Sequence, residues 1–288
     1  MLRILLIMLL VFSVLPARAQ APLPPLETCF DQYLQKNLVE SLAALRLDQA
    51  VRNKALSVAL VDISNPENPR LAAVNGDHMM YAASLPKIAI LFGAFDRIDR
   101  GELALTGEVR EKLTRMIRNS SNTAATEMLN LVGKDYLARL LASPRYRLYD
   151  PEMNGGLWVG KDYGKASAWK RDPLHNLSHG ATAFQVARFY YLLETGRLVS
   201  PEMSQAMKEI LGKPAIHHKF VKGLEQARPG AKIYRKSGTW QDFHADSGII
   251  ERDGHRYIAV ALARDPQGGE WLRQLIVSLD DLICRPRG

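Results

Sequence analysis

Residues 82–91 read AASLPKIAIL and place Ser84 three positions ahead of Lys87. From Leu85 onward the apolar residues Ile88, Leu91, Phe92, Phe95 and Ile98 fall three or four apart until Gly101, which predicts a helix with a buried face. Pro86 suits the first turn of that helix, where its missing N–H is not needed. The serine then feels the positive end of the helix dipole, and the lysine lies one turn on along the same face. Such a pair is either a nucleophile with its base beside it or a helix cap next to an ordinary lysine. S-x-x-K alone does not separate the two, because both residue types are common.

Working outward, Phe30, Tyr33, Leu34, Leu38, Leu42, Leu45 and Leu47 predict a helix over residues 27–54. ALSVALVDI (55–63) and RLAAVN (70–75) read as a strand pair joined by the turn NPENP (65–69). Residues 107–142 are helical in pieces broken near Asn119 and Gly133, 144–180 have no sustained period, and helices resume at 182–195 and 201–211. KIYRKSGTW (232–240), HADSGIIE (244–251) and RYIAVALARD (256–265) are strand-like, and a last helix runs from about Glu270 to Cys284. Strands at both chain ends with helices between predict an α+β or α/β sandwich. It has one antiparallel sheet of about five strands, built from about 27–75 and 215–288, and an inserted all-helical lobe over about 76–214.

Two further short elements change the odds at Ser84. Ser120-Ser121-Asn122 opens a helix, and Lys236-Ser237-Gly238 ends a strand-like run. A lysine acts as a base only when desolvated or beside another cation, and Lys236 can be that neighbour of Lys87. Ser120 can relay a proton to a leaving amine, Asn122 can hold Lys87 and a substrate amide, and glycine at 238 lets a substrate approach the strand edge. The order S-x-x-K, S-x-N, K-S-G resembles the signature of the class A-type β-lactamases and related penicillin-recognising serine hydrolases. The resemblance covers nearly the whole chain after the leader and includes MIRNSSNTAATEML (116–129).

That resemblance implies an acyl-transfer enzyme with Ser84 as nucleophile, Lys87 as base with Lys236 as its cationic neighbour, Ser120 as proton relay, and the N–H groups of Ser84 and Thr239 as oxyanion hole. Ser237 and Thr239, with Lys236, would hold a substrate carboxylate. Many class A enzymes supply an arginine for this on the next strand, where this chain has Asp246-Ser247, so Lys222 or Lys219 is the expected source of charge. The family also places a carboxylate on an irregular loop to activate the deacylating water. Two segments approximate its E-P-E-L-N run: Asp150-Pro151-Glu152-Met153-Asn154 and Asp172-Pro173-Leu174-His175-Asn176. Asp172 is preferred, because its separation from Lys236 is near the family's, although its side chain is one methylene shorter than glutamate. His244 is a candidate lining residue, and His179, His217 and His218 are assigned to structure.

Residues 1–19 have the layout of a secretory leader: Arg3, an apolar run from Ile4 to Leu15, and Ala17-Arg18-Ala19 as a cleavage site. This predicts a periplasmic or secreted protein with a single catalytic domain over 20–288 and no stable membrane anchor. Loss of Arg3 and Arg18 lowers the formal charge from +8 to +6, and the basic residues are interspersed with acids, which argues against a nucleic-acid partner. Cys29 and Cys284 lie near opposite ends. Antiparallel terminal helices would bring them together as a disulfide worth roughly 5 kcal/mol, while two free thiols are the alternative. GKDYGKAS (160–167) lacks the spacing and the Ser/Thr of a phosphate loop. No metal or organic cofactor is called for. The expected partner is a small-molecule β-lactam or a peptidoglycan stem peptide, and the expected state is a monomer. Hydrolysis of β-lactams is the first expectation; a D,D-peptidase, a penicillin-binding sensor without turnover and a hydrolase of other esters or amides stay open.

Overall fold

The computed structural model describes residues 23–285, so the expected leader lies outside the described residues. Helices α1 (Gln32–Ala44) and α2 (Asp48–Arg52) lead into strands β1 (Leu56–Asp62) and β2 (Arg70–Val74). A two-residue strand, β3 (Met80–Tyr81), precedes α3 (Lys87–Asp99), α4 (Gly107–Arg118), α5 (Asn122–Val132) and α6 (Lys134–Leu141). Four short strands follow: β4 (Tyr149–Asp150), β5 (Gly155–Gly156), β6 (Trp158–Val159) and β7 (His179–Ala181). Helices α7 (Ala183–Glu194), α8 (Pro201–Leu211) and α9 (Phe220–Ala227) lead to β8 (Lys232–Trp240), β9 (Phe243–Arg252) and β10 (His255–Arg264). Helix α10 (Gly268–Cys284) comes last among the described elements.

The five long strands form one antiparallel sheet in the order β2-β1-β10-β9-β8, which leaves β8 at an edge. β1 and β10 are apolar almost throughout because both faces of the sheet are covered. Val58, Leu60, Tyr257 and Ala259 point to Leu34 and Leu38 of α1 and Leu272, Leu275 and Ile276 of α10. Their neighbours Ala59, Val61, Ile258 and Val260 point the other way, into the core of the helical lobe. Within that lobe α3 is buried from Lys87 through Asp96, the pattern of a helix surrounded on all sides. Gly93 makes this possible, since a Cβ there would stand 2.8 Å from Val132.

The structure departs from the sequence reading in three places. The single helix expected over 27–54 is shorter and interrupted: Asp31 caps α1 by accepting from the Leu34 N–H (2.7 Å), and Arg46 turns left-handed (φ 59°) before α2. The aperiodic stretch 144–180 contains β4 to β7, too short to show alternation, and β7 pairs with both β3 and β6. The Cys29–Cys284 bridge is not formed. Cys29 lies before α1 and packs into the helical-lobe core, donating to Pro25 O (3.2 Å), whereas Cys284 packs against the opposite face of the sheet beside Asp280.

Candidate active site

Strand β3 ends at Tyr81, and a tight turn carries the chain into α3. The Leu85 N–H donates to Ala82 O (3.0 Å) and the Lys87 N–H to Ser84 O (3.3 Å), so Ser84 stands in the turn that leads through Leu85 and Pro86 into the helix at Lys87. Ala83 adopts a left-handed conformation (φ 49°) immediately before it, the kind of local strain that surrounding structure must hold in place. Strand β8 provides that support. A Cβ at Gly238 would stand 2.2 Å from Ala82 O and 3.0 Å from the Ser84 nitrogen, so only glycine lets the strand lie against the turn. Among the described residues the Ser84 hydroxyl has no hydrogen-bond partner.

The opening of α5 faces the same point. In Ser120-Ser121-Asn122 the two serines divide the work: Ser121 Oγ caps the helix by accepting from the Ala124 N–H (3.2 Å), and Ser120, left-handed at φ 55°, turns inward. Lys87 Nζ donates to Ser120 O (2.6 Å) and Asn122 Oδ1 (2.8 Å) and lies 3.4 Å from Ser120 Oγ. Lys236 Nζ donates to Ser120 Oγ (2.9 Å) and to Ser237 O (2.7 Å). Ser120 Oγ thus accepts from two lysines.

Both lysines are withdrawn from water, at 0% and 1% exposure for Lys87 and Lys236. Burial pushes the Lys87 ammonium down to about 7. Burial first, and then the nearby charge of Lys87, hold Lys236 well below the ordinary lysine range. A lysine that gives up its proton near neutrality has a lone pair available to accept one.

Other expected residues fare differently. Thr239 lines the cleft beside Ser84, and Ser237 Oγ lies 3.4 Å from His218 Nε2. Of the two lysines considered for the anion site, Lys222 is exposed on α9 and its charge acts on Glu270. Lys219 is buried, and its Nζ donates to Gly238 O (2.5 Å), Thr239 Oγ1 (2.7 Å) and Ala245 O (3.1 Å). Three acceptors occupy its three protons, so Lys219 orients Thr239 and ties β8 to β9. Burial lowers it to about 8. Asp246 forms a buried ion pair with Arg235 (2.8 Å), and His244 packs on Gly268 and Gly269, away from the cleft. His217 pairs with Glu225 (2.6 Å).

The three acids considered for deacylation are each engaged by groups of their own loops. Asp172 is 2% exposed, and four groups occupy its carboxylate: the Tyr149 hydroxyl (2.8 Å) and the N–H groups of Leu174, His175 and Leu177 (3.0–3.3 Å). Asp150 accepts from Arg147 (2.7 Å) and from the Glu152 N–H (3.0 Å). Glu152, its side chain 85% exposed, pairs with Arg147 as well. These acids shape their own loops. The cleft beside Ser84, about 540 Å³, is lined by Tyr81, Asn122, Tyr163, His179, Thr239 and Trp240, with Lys161 and Arg171 as its charged residues, and by no carboxylate.

Sequence reasoning missed Tyr163. Its backbone N–H and C=O both bond Thr126 Oγ1 of α5 (3.1 and 3.2 Å), its ring stacks on His179 with centroids 4.3 Å apart, and Lys87 Nζ lies 4.5 Å from its centroid. An aromatic face thus covers the ammonium. Nothing in the aperiodic sequence around 163 marks this role. A larger cavity, about 900 Å³, opens between Arg118, Pro214, Val221 and Tyr234 and contains none of the groups above. Among the described residues no cluster of His, Cys, Asp and Glu could hold a metal ion, and no helix is long and apolar enough to cross a membrane.

An edge strand pressed against a serine-bearing turn, with two buried lysines meeting at a second serine, is the arrangement that the penicillin-recognising serine hydrolase resemblance implied. The model of the β-lactamase enzyme family matches residues 37–112 and 106–284, and the chain belongs to that family. Solved structures agree in fold. The β-lactamase from Sphaerobacter thermophilus DSM 20745 is similar over 88% of this chain and 99% of its own, with 19% identity and a TM-score of 0.67. PBP-A matches over 87% and 95% (18% identity, TM-score 0.63), and an ancestral class A β-lactamase over 83% and 98% (20%, 0.61). A comparison with curated proteins finds no match.

Proposed function

We propose that this protein is a serine acyl-transfer enzyme that opens the β-lactam amide through a Ser84 acyl-enzyme and releases the acyl group slowly. The observation that carries this reading is Ser120 Oγ held between Lys87 and Lys236. Neutral Lys87 takes the Ser84 proton as Oγ attacks the carbonyl carbon, and the Ser84 and Thr239 N–H groups hold the oxyanion. As the C–N bond breaks, Ser120 gives its proton to the leaving nitrogen and is resupplied by Lys236. Ser84 is left acylated and the ring nitrogen protonated. Water must then attack the ester without a carboxylate in the cleft to activate it, which makes this the slow step.

The missing carboxylate also favours a second reading, a D,D-peptidase acting on peptidoglycan stem peptides, which uses the same acylation half. For comparison, one PBP-A variant is an acyl-enzyme complex with penicillin G. The leader-like residues 1–19 support action in the periplasm or outside the cell, where both substrates occur.

Intact-mass spectrometry after brief exposure to benzylpenicillin tests the proposal. The expected result is one added penicillin per chain, located on Ser84, decaying over many minutes and absent in Ser84→Ala. Adduct formation in Ser84→Ala, or no adduct in the unaltered protein, overturns it. Steady, rapid nitrocefin turnover would overturn the slow-release step alone.

A further inference from the structure

We propose that Lys161 and Arg171 form an anion subsite on the acyl side of the scissile bond, so that the preferred acyl donor carries a carboxylate there. The inference rests on Ser84 acylation and goes beyond it by naming the substrate class.

The cleft has a direction. Ser120 and Lys236, which serve the leaving nitrogen, lie outside the 540 Å³ lining, whereas Asn122 and the 161–179 segment form it together with Ser84. This space therefore receives the acyl portion. Its lining includes the aromatic and apolar side chains of Tyr81, Tyr163, Leu177 and Trp240, and its two cations, Lys161 half-buried and Arg171 exposed, flank the same space, so their positive potentials add there.

Neither cation is neutralised. Among the described residues Lys161 and Arg171 have no carboxylate partner. The nearest acids are engaged elsewhere: Asp162 pairs with Lys134 (2.7 Å), and Asp172 holds Tyr149 and its own loop. The Lys161 backbone and the Arg171 guanidinium are both held. Lys161 bridges Ala168 and its carbonyl oxygen is bonded to His179 Nε2 (3.0 Å), while Arg171 Nη1 donates to Asn176 O (3.1 Å) and keeps its other N–H groups for a ligand. A guanidinium held in this way matches the two oxygens of a carboxylate.

Benzylpenicillin and carbenicillin differ by one carboxylate on the acyl side chain and make the test direct. The second-order acylation rate constant, read by mass spectrometry, should favour carbenicillin by about tenfold. The preference should shrink with added NaCl. It should vanish in Lys161→Gln/Arg171→Gln and persist in Lys161→Arg. An unchanged carbenicillin-to-benzylpenicillin ratio in the double variant overturns the subsite. If neither penicillin acylates the protein, the Ser84 reading fails by itself. The subsite is then judged by the ratio of dissociation constants for the same two compounds on Ser84→Ala, with and without the double substitution.

Discussion

Two walls enclose Ser84, and they are built on different principles. The first is a corner of regular elements: the start of α3, the start of α5 and the edge strand β8, each contributing a side chain from a position fixed by packing or pairing. The second is the stretch from Tyr149 to Ala181, short paired strands and turns held by hydrogen bonds from side chains to backbone. The corner carries the groups that move protons, and the loop wall shapes the space that a substrate fills. A reactive centre needs side chains held to a fraction of an ångström, which regular elements supply. The shape of a binding space varies with little cost to the scaffold when it is carried by loops.

The contrast is broken most severely at Lys87. Replacement by methionine keeps the packing volume of a buried side chain but removes the base, and acylation by benzylpenicillin should fall about a thousandfold. In the unaltered protein the same group sets the pH profile. Lys87 accepts a proton only when neutral, and burial lowers it to about 7. Acylation should therefore level off above that pH and fall about tenfold per unit below it. A profile that stays flat from pH 5 to 8 would remove Lys87 from the role of base.

The difference between the walls also explains what the sequence disclosed. S-x-x-K, S-x-N and K-S-G are legible because each motif sits at the end of an element whose period is visible, and the element then fixes where the side chain goes. Gly238 is legible for the same reason: it marks close approach of a strand to something. Tyr163, Lys161 and Arg171 lie in a run without period, and their positions depend on Thr126, His179 and Asn176, which no spacing rule connects to them. Asp172 shows the converse, a motif-like run that does not by itself decide a role. A local run similar to E-P-E-L-N drew the reading toward a catalytic acid, yet an aspartate in a turn also binds the N–H groups that follow it. That is what its neighbours Leu174, His175 and Leu177 record.

Asp172→Asn sharpens this point with a smaller effect. The amide leaves at least one buried donor without an acceptor, a loss of about 1–3 kcal/mol in unfolding free energy. Denaturant melts should show that loss, while the lifetime of the Ser84 adduct in the folded protein stays within about twofold, since the carboxylate faces its own loop. An adduct lifetime extended tenfold or more, with stability intact, would restore Asp172 as the group that activates water.

The smallest effect is expected outside both walls. Cys29 is enclosed by the helical-lobe core and donates to Pro25 O, and Cys284 lies against the other face of the sheet. A five-stranded sheet separates the two environments, so bringing the sulfurs together would require unpacking the start of α1 from β2. Burial also raises both thiols, Cys284 to about 12, so neither is a ready thiolate at neutral pH. Thermal melts with and without a reducing agent should therefore coincide, with any difference below about 0.5 kcal/mol. A bridge closing nearly the whole chain would instead contribute several kcal/mol and lower the melting temperature on reduction. Such a drop would mean that the chain ends approach each other more closely than the two separate cores allow.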